Sequence, residues 1–400
     1  MSSPTNTSGD KPSPSRKKSP QSGNTNRKLR AVVINFQGLR SKVESLSNLI
    51  NSVHPDIIFG TETWGNDTIS NSELFLTHLD TYDIWRKDRN DGHGGVLIAV
   101  RKTLLAVALP EYDADCEVLW TKLRSHGQKD VYLGVFYNPH YNDPNGLPGL
   151  EVSLSKLPPD AYKVLAGDFN MPDIDWDSDS VKPCPARVYK SSTQPCTLLL
   201  DIASHHNLQQ VVNFPTRQQN MLDLLFTTNP TLIDSVKPIP GISDHDSVVQ
   251  IDFTGTVKHK KSKAHRVYNY KKANFDKIRT ELWSFSEEFF INSPGTKSVN
   301  LNWESLKCKL TYLKEKYIPS KMSSTRFNLP YITREIKSKI RQKHRVYNRA
   351  LKSQSQEDWS LFRKLRSQVQ KSLRFMRWEY LNDVIGPSLR EKPKALLSIC

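Results

Sequence analysis

Between residues 31 and 253 the chain is built from short apolar runs with few helical segments between them. AVVINF (31–36), DIIFG (56–60), YDIW (82–85), GVLIAV (95–100), EVLWTKL (117–123), DVYLGVFY (130–137) and YKVLAGD (162–168) read as strands. So do the segments near LQQVV (208–212), LDLLFTT (222–228), IDSVKPI (233–239) and SVVQIDF (247–253). SKVESLSNLINSV (41–53) places Val43, Leu46, Leu49, Ile50 and Val53 on one helical face, with Ser41 as its cap and Pro55 beyond its end. CTLLLDIASHH (196–206) reads as a second helix. This pattern does not suit a single parallel sheet. It predicts an α/β fold with two sheets and helices outside.

Charge divides the 400 residues into three. Residues 1–30 carry a net +6, residues 31–253 a net −11, and residues 254–400 a net +21. An acidic body therefore lies between a basic arm and a basic C-terminal third, which predicts a polyanionic partner for the latter. Residues 1–29, rich in Ser, Pro, Asn and Lys, read as a disordered basic arm. KHKKSKAHR (258–266) reads as a basic linker, and the pattern from Thr333 to about Ile385 is helical and basic. There Ile336, Ile340, Tyr347 and Leu351 form one apolar stripe. Trp359, Phe362, Leu365, Val369, Leu373 and Met376 form a second.

Several classes are excluded. No stretch approaches the ~18 consecutive apolar residues of a membrane span, and the N-terminus lacks the apolar core of a secretory signal. Cysteines 116, 184, 196, 308 and 400 form no CxxC pair and no zinc-type spacing, which suits reduced thiols.

The lone polar residues of the body fall at strand ends, where a rigid scaffold displays reactive groups. Asn35 ends the first strand, Glu62 follows the second, Tyr137 closes the DVYLGVFY run, and Asp168 and Asn170 stand in AGDFN. Asp223 interrupts MLDLLF, and Ser243-Asp244-His245 precede the final strand. Each alone has an ordinary reading as a turn, cap or solvated residue. Together they suit phosphodiester hydrolysis. A carboxylate such as Glu62 is a hard ligand for Mg²⁺. Asp168 can hold or deprotonate water, Asp223 can fix the tautomer of His245, and Asn35 and Asn170 can donate to anionic oxygens.

In order, NFQGLRSK, TETW, FYNPH, AGDFN, LDLLFTT and SDHDSV resemble the endonuclease/exonuclease/phosphatase superfamily over roughly residues 30–253. NFPTR followed by LDLLFTTNP resembles, more closely, the apurinic-type endonuclease domain of non-LTR (LINE-like) retrotransposon polyproteins. LPYITREIKSKIRQKHRVYNRA and DWSLFRKLRSQVQKSLR look like the linker that precedes their reverse transcriptase. The resemblance implies a DNase I-like two-sheet α/β sandwich over 30–253 and a basic helical linker region over 254–400. It implies that Glu62 is the main metal ligand, with Asn35 beside it and Asp244 a further metal-site acid. It implies that Asp168 activates water and that Asp223 orients His245. Tyr137, Asn170 and Thr216 would contact phosphate. Met221 departs from the pattern, standing where related repair endonucleases tend to carry Arg.

The reading is a DNA endonuclease dependent on Mg²⁺, with Mn²⁺ as the alternative ion. It would nick target DNA and leave a 3′-OH for target-primed reverse transcription. Its partners would be DNA and, through the basic C-terminal region, element RNA. No membrane is expected, and basic clusters at Arg16-Lys17-Lys18 and Lys258–Lys263 permit nuclear import, with the cytoplasm as the alternative location and secretion not expected. The rivals are a phosphatase or phosphodiesterase of the same fold and a non-catalytic nucleic-acid-binding remnant.

Overall fold

The computed structural model describes residues 25–75, 78–124, 129–139, 143–182, 193–259, 266–292, 298–322 and 331–382. The chain divides into two compact units. One joins residues 27–257 to 328–400, and the other is formed around the segment 258–327 between them.

In chain order the elements begin β1 (Thr25–Asn35), α1 (Val43–Val53), β2 (Ile57–Thr61), α2 (Asn71–Phe75), β3 (Tyr82–Lys87), β4 (Val96–Arg101), β5 (Ala106–Ala108) and β6 (Glu117–Leu123). There follow β7 (Val131–Tyr137), α3 (Gly146–Lys156), β8 (Tyr162–Asp168), β9 (Ile174–Asp175), β10 (Ser180–Val181), α4 (Thr193–His205), β11 (Gln209–Gln210), β12 (Asp223–Thr227), β13 (Ile233–Pro240) and β14 (Ser247–His259). The remainder is β15 (Arg266–Tyr268), α5 (Phe275–Asn292), α6 (Val299–Tyr317), β16 (Ser320–Met322), α7 (Arg334–Ser353) and α8 (Gln356–Tyr380).

The fold is a two-sheet α/β sandwich. One six-stranded sheet runs β13-β14-β1-β2-β4-β3, the other β11-β12-β8-β7-β6-β5. Each has a parallel pair near its middle, β1 with β2 and β7 with β8. The central strands are covered on both faces, which is why their sequences are apolar throughout rather than alternating. Ala31, Val33, Ile57, Phe59 and Val249 meet Leu133, Val135, Val164, Ala166 and Leu225 between the sheets. On the outer face of the first sheet, Val32, Ile34 and Ile58 pack on Leu46, Leu49 and Ile50 of α1. On the outer face of the second, Leu150 and Leu154 of α3 and Leu199 and Ile202 of α4 pack over Trp120, Leu165 and Phe226.

Three boundaries differ from the sequence reading. β1 begins at Thr25, inside the expected arm. Its cations are paired with acids of the sandwich, Arg27 with buried Asp56 at 2.6 Å, Lys28 with Asp234 and Arg30 with Asp252, so charge there extends the strand. Residues 1–24, including the Arg16-Lys17-Lys18 cluster, lie outside the described residues, as do 260–265 and 383–400. The first helix starts at Val43, after a 3₁₀ turn over Leu39–Lys42 in which Ser41 Oγ donates to the Gly38 carbonyl. The stretch 254–400 is not one region: of its described residues, 331–382 belong with the sandwich and 266–322 with the other unit.

α7 and α8 form an antiparallel hairpin. Val346, Tyr347 and Ala350 pack on Trp359, Phe362 and Leu365, and Ile336 packs on Val369 and Leu373. Thr333 and Ser355 cap the two helices, and Gln354 ends α7 in a left-handed conformation. The other unit pairs β15 with β16 and packs α5 on α6, where Glu281 accepts from Lys309, Lys316 and Tyr317. Among the described residues no helix is long and apolar enough to cross a membrane.

Candidate active site

Strand register brings the site together. Asn35 stands opposite Thr61 in the β1–β2 pair, so Glu62 follows directly at the same edge. Asp168 stands opposite Tyr137 on one side and opposite Asp223 on the other. The two groups belong to different sheets, and Asn35 bridges them: its Nδ2 donates to Glu62 Oε1 at 2.7 Å and to Asp168 Oδ2 at 2.8 Å.

The loop bearing Glu62 is held in unusual backbone geometry. Glu62 and Trp64 both have positive φ, 49° and 51°, a conformation that costs about 1–3 kcal/mol for such residues and persists only where the surroundings enforce it. Here Gly38 N donates to the Glu62 carbonyl and Leu39 N to the Thr63 carbonyl, while Trp64 N donates to Gly94. Gly95 donates to the Glu117 carboxylate. His93 of the same glycine-rich turn sets its ring edge-on to Trp64, so it serves the loop rather than the acid cluster.

AGDFN is shaped by close backbone approach. A Cβ at Gly167 would lie 1.8 Å from the Phe136 carbonyl oxygen, so only glycine lets β8 sit against β7 there. Asn170, at φ 52°, donates its N–H to Asp168 Oδ1 at 3.1 Å and its amide to the Asn138 carbonyl at 2.8 Å. Asn138 completes this bracket, donating its backbone N–H to the Asp168 carbonyl and its amide to the Phe169 carbonyl. Its role was not anticipated. Its only sequence signal is its place directly after the strand-ending Tyr137.

His245 lies between two acids. Its Nδ1 donates to Asp223 Oδ2 at 2.5 Å, and its Nε2 lies 3.8 Å from Asp168 Oδ2. Burial alone would lower the imidazole pKa, but Asp223 and Asp168 outweigh it and raise it to about 9, so the ring is an imidazolium at neutral pH. Burial raises Asp168 to about 7, against the pull of the imidazolium and with Asp223 and Glu62 adding to the rise. Burial, then Glu62 and Asp168, hold the Tyr137 hydroxyl protonated well above the usual phenol range.

Asn35, Glu62, Asp168, Asp223 and His245 thus converge, with Tyr137 and Asn170 beside them. Two expected residues are placed otherwise. Thr216 is 0 % exposed. Its Oγ1 accepts from the backbone N–H of Leu222 and Asp223, so it sets the start of β12. Asp244 is paired with Arg217 at 2.6 Å and is not among the converging ligand atoms of Asp168, Asp223 and His245, although its charge adds to the rise of the His245 pKa. Met221 packs against the core under the second sheet.

The donor set fits a hard divalent cation. Glu62 is half-buried and Asp168 fully buried, their oxygens share one amide donor, and Asp223 Oδ1 is buried without a partner. Asp168, Asp223 and His245 offer ligand atoms within 4.8 Å of one another, but the protonated imidazole leaves the carboxylates as the metal-holding groups of this set. Elsewhere, Glu151 is hydrogen-bonded to His206 Nε2 at 3.0 Å and lies 3.0 Å from His205 Nδ1, a second group whose ligand atoms converge.

A family model described as the Endonuclease/Exonuclease/phosphatase family matches residues 32–245. A second, described as the Female sterile protein K10 C-terminal domain, matches residues 332–393. No curated protein matches the chain. Among solved structures it is similar to the endonuclease domain of TRAS1, a telomere-specific non-LTR retrotransposon, at 16% identity over 57% of this chain and 99% of that one, TM-score 0.43. It is similar to the AP endonuclease LMAP from Leishmania major at 15% identity over 58% and 88%, TM-score 0.45. It is similar also to an AP endonuclease from Archaeoglobus fulgidus at 16% identity over 57% and 100%, TM-score 0.41.

Proposed function

Because the chain belongs to the endonuclease/exonuclease/phosphatase family, we propose that it is a Mg²⁺-dependent DNA endonuclease of the non-LTR retrotransposon kind. In this reading it nicks target DNA in the nucleus and leaves a 3′-OH for reverse transcription. The observation that carries the reading is the continuous series Glu62–Asn35–Asp168–His245–Asp223, joined by contacts of 2.7, 2.8, 3.8 and 2.5 Å.

Glu62, with Asn35 beside it, would hold Mg²⁺ or Mn²⁺. Bound there, the ion supplies charge neutralisation for the phosphate and the leaving oxygen. Asp168, with a pKa raised to about 7, is suited to orient the attacking water and accept its proton near neutral pH. The His245 imidazolium donates from Nε2 to a phosphate oxygen, and Asp223 fixes its ring and sustains its charge. Tyr137 and Asn170 are neutral donors toward the same oxygens. DNA is the substrate favoured by the motif order and by the basic C-terminal third, which would also take element RNA.

Nicking of supercoiled plasmid with and without Mg²⁺ tests this reading. Conversion to open circles only with the metal is expected. Release of inorganic phosphate from a 3′-phosphorylated duplex without nicking would favour the phosphatase alternative. Binding without either reaction would favour the non-catalytic one.

A further inference from the structure

The loop between β13 and β14 carries Asp244 and His245, and α8 grips it. Asp246, whose side chain is 3 % exposed, receives Arg363 Nη2 at 2.6 Å and Arg363 Nε at 3.1 Å, and Arg366 Nη1 at 3.2 Å. Gln218 N also donates to it, at 3.3 Å. Arg366 Nη1 donates in addition to the carbonyl of His245 at 3.0 Å. Gln370 donates to the carbonyl of Ile242. Positions 363, 366 and 370 share one face of a helix, so a single face of α8 reads both the backbone and the buried acid of this loop. From α7, the Tyr347 hydroxyl lies 2.9 Å from Ser247 Oγ, where β14 begins. A second anchor, Arg377 to buried Glu44 at 2.7 Å, fixes the far end of α8 on α1.

Within the loop itself the restraints are few. His245 N donates to Ser243 Oγ at 3.3 Å, and Gly241 N to the Asp246 carbonyl at 2.9 Å. The bond from His245 to Asp223 orients the ring but does not fix the backbone that carries it. The carbonyl of His245 is fixed by Arg366, more than 100 residues away in the chain.

We propose that the α7–α8 hairpin is part of the active-site machinery, with Arg366 as a positioning residue, aided by Arg363 and Gln370, that holds the backbone of the His245 loop. A single guanidinium nitrogen, Nη1 of Arg366, forms charge-assisted bonds to a carboxylate and a carbonyl at once, a task that a lysine ammonium could take over in part. A reactive group misplaced by about 1 Å loses on the order of a hundredfold in rate, so the grip should be visible in turnover rather than in capture of DNA.

The kinetic half of the test rests on the nuclease reading above, and the exchange half does not. In the full chain, Arg366→Ala should lower kcat for plasmid nicking by about tenfold or more while KM for DNA changes less than about threefold. Arg366→Lys should recover part of the loss. In metal-free protein, hydrogen-exchange protection of the Gly241, His245 and Ser247 amides should fall by about tenfold in Arg366→Ala, with the β1 amides unchanged. A raised KM at unchanged kcat would make Arg366 a DNA contact and overturn the proposal, as would unaltered protection of the loop. Should Arg366→Ala not fold, Gln370→Ala removes the neutral bond to Ile242 and should show smaller changes in the same two quantities. Its equality with the wild type in both would be equally fatal. A wild-type chain that nicks nothing removes the nuclease reading, and the exchange result then decides alone whether the grip exists.

Discussion

Asn35 and Asp168 belong to different sheets and are joined by a 2.8 Å hydrogen bond. The Asn35–Glu62 pair of the first sheet and the Asp168–Asp223 pair of the second are therefore set relative to each other by the packing of the sandwich. Side chains as remote as Val33 and Leu133, which meet between the sheets, hold that spacing.

Glu62→Gln keeps the hydrogen bond from Asn35 and removes the charge. Nicking at ordinary Mg²⁺ should fall by at least about a hundredfold, the scale of losing a main electrostatic group, with thermal stability nearly unchanged. Wild-type activity in the variant would take Glu62 out of the site.

Asp223 and His245 should behave as one unit. Asp223→Asn combined with His245→Ala should be about as slow as His245→Ala alone. Fully multiplicative losses in single-turnover nicking would assign Asp223 a separate task.

Thr216 offers a test of placement. Thr216→Val removes the acceptor of two buried N–H groups, those of Leu222 and Asp223, which should cost on the order of 1–3 kcal/mol of stability. DNA affinity measured in a Glu62→Gln background should stay the same. Weaker affinity at unchanged stability would mean that Thr216 meets phosphate after all.

Lys343 of α7 is buried, and burial together with Arg366 pulls its pKa from 10.5 down to about 8. The unfolded chain holds this proton more tightly than the folded one. Stability from this residue is thus present above about pH 10.5 and is lost as pH falls through about 8, a cost of at most about 3 kcal/mol at pH 7. Lys343→Met should be more stable than the wild type at pH 7 by urea unfolding, with the gap closing by pH 10. A gap independent of pH would show that the ammonium is not the cause.

Lys364, Lys371 and Arg374 are exposed on α8. If they capture duplex by releasing counterions, neutralising all three should make the slope of log K against log salt shallower by about 0.9 for each phosphate that no longer meets a cation. The turnover rate at saturating DNA should hardly move, because such binding is uniform along the reaction. An unchanged slope would remove this face of α8 from DNA capture.

The sheets were legible because strands buried on both faces leave continuous apolar runs, and Asn35, Glu62, Asp168, Asp223 and His245 because each interrupts or ends such a run. The bracket of Asn138 around Asp168 was not, since a buried asparagine in a turn looks like any other. α3 was missed because Gly146, Pro148 and Gly149 read as loop, although Leu147, Leu150 and Leu154 face the core. The hairpin stripes were legible from their spacing. Its docking was not, because Arg363, Arg366 and Arg377 belong to a basic region whose charge predicts a polyanionic partner, and the groups they and Gln370 meet are distant in the chain.

Because the unit that holds the site is discontinuous, residues 27–257 leave the ribosome well before residues 328–400. Both sheets can pair while the intervening segment is still being translated, but the His245 loop then lacks α8. On the positioning role assigned to Arg366, the site reaches its full arrangement only once α8 has been made. A polypeptide that stops before α8 would carry both sheets and every residue of the acid cluster, yet hold its His245 loop without the grip of that helix.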